Sequence, residues 1–146
     1  MEVIVEAPAV AVVLKRAQEL VKKASSSLPT SVLLNTSPSG ALTVSAFDGE
    51  VALVSEVAAT SRKGGSALLH REAFEYVSAL KGPVTLRAAK GAITVESGRS
   101  TARFFQASQP EDFPKLPTPT VPLEPLNAQG LLDMLRRVHH ACATDC

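Results

Sequence analysis

One pattern begins three times in this chain and is completed only twice. An apolar strand leads into an amphipathic helix over residues 1–24, again over 66–80, and again over 120–143. A run of short alternating strands follows each of the first two helices, whereas only Ala143-Thr144-Asp145-Cys146 follows the third. A strand with one apolar face and a helix with one apolar stripe must each bury that surface against another layer. Repeated units of this kind do so by stacking on their copies. An unfinished third unit predicts completion by a neighbour, so function is expected in an assembly rather than in a pocket.

The local periodicities support these units. Val3 and Val5 alternate with Glu2, Ile4 and Glu6, as in a strand. Pro8 is tolerated in a first helical turn, where its missing N–H costs nothing. Val10, Val13, Leu14, Ala17, Leu20, Val21 and Ala24 then recur at three- and four-residue steps. Residues 25–29, Ser-Ser-Ser-Leu-Pro, end this helix. Short strands are expected over 31–35, 41–46 and 50–59, with Asp48-Gly49 as the strongest hairpin signal between them. Residues 62–65 form a basic, glycine-containing loop in this reading. The second unit repeats the order: a strand at 67–70, a helix at 71–80 with Phe74 and Val77 inward, and strands at 83–88, 92–97 and 101–107. Lys90-Gly91 and Gly98-Arg99 separate those last strands.

Residues 110–119 contain four prolines and no periodicity, which predicts an extended linker. A short strand is expected at 121–126, near an edge because of Pro122 and Pro125. Asn127 is a good N-cap for the last helix. Its stripe of Leu131, Leu132, Leu135, Val138 and Cys142 must be covered by the first domain or by another chain. The domain reading is therefore 1–109, a linker at 110–119, and a partial second domain at 120–146.

Composition excludes several classes. Aromatic residues make up 4% of the chain and Trp is missing, so the core must be aliphatic. The net charge of +1 gives no overall bias toward nucleic acid. Phosphate contacts would have to come from local clusters of Lys and Arg. No apolar run approaches the roughly 20 residues of a membrane span. The start, Met1-Glu2, lacks the basic-then-apolar layout of a signal peptide, which gives a cytoplasmic expectation. Cys142 and Cys146 are the only cysteines and form no disulfide framework. No phosphate loop, dinucleotide fingerprint or nucleophile elbow is present, so neither catalytic residues nor a cofactor are expected. His139, His140, Cys142, Asp145 and Cys146 crowd into eight residues, unlike the separated ligand pairs of a zinc site. No metal is expected there. His70 stands alone before a helix and is expected to be a half-buried polar residue.

Four stretches resemble the first domain of the bacterial DNA polymerase III beta subunit, the sliding clamp. They are Leu28-Pro29 with Val32-Leu33-Leu34; Leu42-Thr43-Val44 leading to Phe47-Asp48-Gly49-Glu50-Val51; Val95-Glu96-Ser97-Gly98-Arg99-Ser100 with Phe104; and Glu111-Asp112-Phe113-Pro114-Lys115-Leu116-Pro117. The last is similar to the family's crossover out of its first domain, and residues 128–143 resemble the opening helix of the second. The resemblance implies an α+β fold: a clamp-like domain of two strand–helix–strands units, helices on one face of antiparallel sheets, and a truncated third unit. It implies a ring with sheets outward and helices toward a central hole that holds DNA. The family's peptide pocket lies toward its last two domains, so no residue here inherits it.

Lys15, Gln18 and Lys22 share the helix face opposite the apolar stripe, flanked by Arg16, Glu19 and Lys23. Such a face is either an ordinary solvated surface or a phosphate contact, and the resemblance favours the latter. The last helix carries Arg136 and Arg137 beside Asp133 and His140, with the same two readings; cations there also favour the helix dipole. Lys15, Arg16, Lys22, Lys23, Arg136 and Arg137 are thus the candidate DNA-binding residues. Arg62, Lys63 and Arg103 are expected to be solubility charges, and Arg99 to shape its turn or face a neighbouring unit. The resulting function is a non-catalytic, sliding-clamp-like processivity module, at most an accessory subunit of DNA polymerase III. It would act through oligomeric assembly around duplex DNA, without sequence preference. The alternatives are a protein-interaction module or regulator that binds a full-length clamp or another replication protein without DNA, and a truncated clamp fragment.

Overall fold

A computed structural model of the chain describes residues 1–23, 30–37, 40–106, 108–116 and 127–139. It divides into two compact units, residues 1–116 and 117–146, each described here by itself.

The first unit opens with β1 (Glu2–Glu6), whose alternation buries Val3 and Val5. Helix α1 (Ala7–Lys23) follows at once and buries Val10, Val13, Leu14, Ala17 and Val21 on one stripe. Three strands come next: β2 (Ser31–Thr36), β3 (Leu42–Phe47) and β4 (Ala52–Val57). The β3–β4 turn is shaped by Asp48, whose Oδ1 accepts from the backbone N–H of Glu50 at 2.9 Å and of Val51 at 2.7 Å. After β5 (Ala59–Lys63), the order repeats with β6 (Gly65–His70), α2 (Glu72–Ala79), β7 (Pro83–Ala89), β8 (Ala92–Ser97) and β9 (Ser100–Phe105). The β7–β8 loop is two residues long, and both Lys90 (φ 50°) and Gly91 (φ 72°) take positive φ. That is the requirement of a type I′ hairpin turn, and it explains a glycine at the second position.

All strand pairs are antiparallel, in two sheets ordered β5-β1-β7-β8-β9 and β4-β3-β2-β6. The two repeats are interleaved. Each sheet contains three trailing strands of one repeat and the leading strand of the other, and β5 of the first repeat adds a fifth strand beside β1. β1 pairs with β7, aligning Val3 with Leu86 and Val5 with Val84. β6 pairs with β2, aligning Ala67 with Leu34. Neither repeat can finish its sheet alone, so the two fold as one body. Both helices pack on the inner faces, α1 against α2, β3 and β1, and α2 against β6. One continuous core, aliphatic apart from Phe74, joins them, from Val3 and Leu14 to Leu34, Phe74, Leu86 and Ile93.

The structure departs from the sequence reading over residues 50–65. The strand expected over 50–59 is two strands in two different sheets, and the loop expected at 62–65 is mostly strand. β4 pairs with β3, and after Ala58 the chain crosses so that β5 pairs with β1. Its segment, Ala-Thr-Ser-Arg-Lys, has no apolar alternation; its strand state comes from the β1 backbone. Residues 110–116 belong to the first compact unit. Pro110–Asp112 forms a 3-10 turn in which Asp112 Oδ2 accepts from the Gln109 N–H at 2.9 Å. This turn lies beside β6, and Phe113 after it is 7% exposed. The strand expected at 121–126 and the helix ends expected at 24 and 140–143 lie outside the described residues.

In the second unit, α3 (Ala128–Val138) is capped by Asn127, whose side-chain oxygen accepts from the Gly130 N–H at 3.1 Å. Leu131, Leu132, Leu135 and Val138 are exposed residues of this helix.

Candidate nucleic-acid interface

Helical periodicity places the charges of α1. With Val10, Val13, Leu14, Ala17 and Val21 inward, Lys15, Arg16 and Glu19 emerge on the solvent side and are exposed. Gln18 is half-buried between them. Lys22 and Lys23 occupy the last turn of the same helix. Four cations therefore stand against one anion along α1, all within its second half.

Helix α2 lies alongside and has the opposite sign. Its inward residues are Ala73, Phe74 and Val77, which leaves Glu72, Glu75 and Ser78 exposed. Glu72 and Glu75 lie in its first turn, and the helix itself carries no cation. Arg71 precedes it at the N-cap. A groove of about 290 Å³ runs between the helices, lined by Ala11, Val12, Lys15 and Gln18 of α1 and by Glu75 and Ser78 of α2. A second groove brings Gln18 together with Arg71, Glu72 and Glu75. Lys15 of α1 and Glu75 of α2 thus line the same groove.

The β8–β9 turn is tied to this helix layer. Tyr76 of α2 and Ser100 hydrogen-bond through their hydroxyls at 2.7 Å, and the Tyr76 ring tilts against Phe104 with centroids 5.7 Å apart. Exposed Arg99 occupies that turn, next to Ser100. On the first sheet, Glu2 bridges Arg87 at 3.3 Å and Arg62 at 3.5 Å, and Arg87 also reaches Glu96 at 3.3 Å. The hydrogen bond from Arg87 holds the Glu2 carboxyl below its ordinary range, against a smaller opposing effect of burial; Arg62 adds to the lowering. Arg62 is thus part of an ion-pair network, and Arg103 stacks over the Phe105 ring at 5.3 Å. The sequence reading as scattered solubility charges missed both pairings.

The same architecture occurs in solved structures. Over its whole length the chain superposes on the DNA polymerase III beta subunit of Pseudomonas aeruginosa with a TM-score of 0.87 at 20% identity, covering 41% of that chain. The chain has the fold of a sliding clamp. Caulobacter crescentus pol III beta gives a TM-score of 0.83 at 20% identity, over 99% of this chain and 41% of that one. A Helicobacter pylori beta clamp bound to a DNA ligase peptide gives 0.82 at 20% identity, over 98% and 41%. The chain therefore spans about two fifths of the length of these clamps. No protein-family model matches the chain, and no curated protein matches it. The resemblance noted from the Asp48-Gly49, Ser97-Gly98-Arg99-Ser100 and Asp112-Phe113-Pro114 segments agrees with this fold.

Lys15 and Arg16 are both exposed on α1 in the first unit. Arg136 and Arg137 lie on α3 in the second. Arg136 is 3.7 Å from Asp133, which also accepts from Gln129 at 3.1 Å, so one of these two cations is already partnered. Sequence reasoning missed the α2 carboxylates. The signal was available: the count that turns Phe74 and Val77 inward turns Glu72 and Glu75 outward. His70 is half-buried, as expected, and its Nε2 is 2.9 Å from the Thr30 hydroxyl. His139 Nδ1 is 2.9 Å from the Arg136 carbonyl oxygen, while His140, Cys142, Asp145 and Cys146 lie outside the described residues. Among the described residues, no group of three or more His, Cys, Asp or Glu side chains could hold a metal ion. No described helix is long and apolar enough to cross a membrane.

Proposed function

We propose that this chain is a clamp-like, non-catalytic processivity module that contacts duplex DNA through α1 and works as an oligomer. The observation that carries this reading is the clamp fold with a cationic helix on its helix-bearing side. Lys15, Arg16, Lys22 and Lys23 are the phosphate contacts of the first unit, and Arg136 and Arg137 those of the second. We take residues 120–146 as the opening of a second clamp domain. Contact with phosphates alone carries no sequence information, so binding is independent of sequence. It is also weak and salt-sensitive, because each neutralised phosphate releases condensed counterions.

Encirclement takes more than one clamp-like domain, and copies of the chain are the partners proposed for it. Two sheet edges suit head-to-tail pairing. β4 ends one sheet and β9 ends the other. Val54 and Glu56 are exposed on β4, and Arg103 and Phe105 on β9. A Glu56–Arg103 cross-strand pair beside a Val54–Phe105 contact would join such edges. Repeated head-to-tail contacts close into a ring or continue as a filament. Clamp subunits or other replication proteins could take the place of a second copy in the cytoplasm.

Light scattering with and without duplex DNA, combined with fluorescence anisotropy, tests the reading. An oligomer that binds duplexes of unrelated sequence equally at low salt is expected. A monomer without affinity for duplex overturns it. An oligomer, or a complex with a clamp protein, that ignores DNA would favour the interaction-module reading.

A further inference from the structure

The helix layer is electrostatically split. α1 offers Lys15 and Arg16 beside a single carboxylate, Glu19, with Lys22 and Lys23 in its last turn, whereas α2 offers Glu72 and Glu75, with Arg71 before it in the same groove and His70 Nδ1 3.7 Å from Glu72. The two faces meet at one groove, where Glu75 lies opposite Lys15 and Gln18. Residues three apart on a helix are surface neighbours, roughly 5–6 Å between Cβ atoms, so the two carboxylates make one anionic strip. A groove of about 290 Å³ places the Glu75 end of that strip beside Lys15. At physiological salt, charges influence one another over about 8 Å. A phosphate drawn to Lys15 therefore also meets Glu75.

We propose that Glu72 and Glu75 set the strength of duplex contact by repelling phosphate from the α2 half of the layer, so that the DNA backbone follows α1. This rests on the function proposed above and specifies how its site is tuned. A module that must move along DNA needs contacts that exchange readily, and carboxylates beside the cations provide that without removing them. Carboxylates in a first turn also favour the helix dipole. That role accounts for helix stability and makes no demand on DNA affinity, so the two roles separate by experiment.

The test uses the full chain and a short labelled duplex of arbitrary sequence, followed by anisotropy across a salt series. Glu72→Gln with Glu75→Gln is expected to tighten binding about two- to fivefold at low salt, the size expected from removing two screened like charges. Glu72→Lys with Glu75→Lys is expected to tighten it further and to steepen log K against log salt by up to about 0.9 per added lysine that reaches a phosphate. Ser78→Glu lines the same groove outside the first turn of α2 and is expected to weaken binding about twofold. Circular dichroism accompanies each variant. If the Gln variant loses its fold, the Ser78→Glu result decides alone. Wild-type binding that is unchanged in these folded variants overturns the inference and leaves the proposed function standing. No binding by wild type or by the Lys variant at the lowest salt overturns both.

Discussion

Replacing Leu86 by Ala should destabilise both repeats at once, because Leu86 sits where they cross. It lies on β7 with Val3 of β1 on one side and Val95 of β8 on the other. All three are at most 1% exposed, so they form a buried row spanning the two repeats. Truncation removes three carbon atoms from a site whose neighbours are fixed by two hydrogen-bonded ladders and cannot collapse freely. Buried Leu→Ala changes cost about 2–5 kcal/mol, and a fixed site belongs near the middle of that range or above. A loss of about 3 kcal/mol lowers Tm by roughly 10 °C for a body of this size. With a urea m-value of about 2 kcal/mol/M, the midpoint falls by about 1.5 M. Tyr76 is the only tyrosine in a chain without tryptophan, so its fluorescence reports α2 alone. Far-UV circular dichroism reports all the elements. The two probes should give coincident urea transitions before and after the substitution. Separate transitions, or a loss below about 1 kcal/mol, would refute the interleaved construction; the matching substitution Leu34→Ala in the other sheet should behave alike.

Neutralising Lys15 and Arg16 together as Gln should flatten the slope of log K against log salt for duplex DNA by up to about 1.8, or about 0.9 for each lost phosphate contact. Anisotropy across a salt series measures this, and an unchanged slope would remove both residues from the interface. Glu2 has its folded pKa lowered by Arg87, so the ion pair contributes stability above the unfolded carboxylate pKa and loses it as pH falls through the folded value. In an NMR titration, Arg87→Ala should move the Glu2 midpoint upward, toward the ordinary carboxylate range. Gly91→Ala should cost about 1 kcal/mol in thermal unfolding, since φ is 72° there and an added Cβ meets nothing within 4 Å.

What was legible in the sequence was whatever a local period could encode. The Val3/Val5 alternation, the α1 stripe through Leu14 and Ala17, and the inward Phe74 and Val77 all follow from side-chain spacing along one element. β5 escaped because Thr60, Ser61, Arg62 and Lys63 carry no alternation, and their strand state depends on β1, nearly sixty residues earlier. Arg62 escaped for the same reason, since its partner Glu2 is remote in sequence. Phe113 sits in a proline-rich segment with no period, and its burial comes from its place within the first compact unit. The interleaving of the repeats was also hidden. Two copies of a strand–helix–strands pattern are compatible with two separate sheets, and only the β1–β7 and β2–β6 pairings exclude that arrangement.

The candidate site follows from the same construction. The charges of each helix could be counted from sequence, but their meaning depends on which helix lies next to which. Because each sheet takes a strand from both repeats, α1 and α2 are held by the same ladders and pack side by side on one core. Lys15 and Glu75 are therefore fixed neighbours across a groove, although sixty residues separate them. A uniformly cationic layer would bind phosphate more tightly with every added contact. On the proposed function, a layer with most of its cations on α1 and the Glu72–Glu75 pair on α2 would attract phosphate along one line and repel it beside that line. The fold does not need Glu75 at that position to close its core, since the residue is exposed and the inward face of α2 is complete with Ala73, Phe74 and Val77. What remains for Glu75 is the helix dipole and the field over the groove, and only the field would reach a duplex bound as proposed.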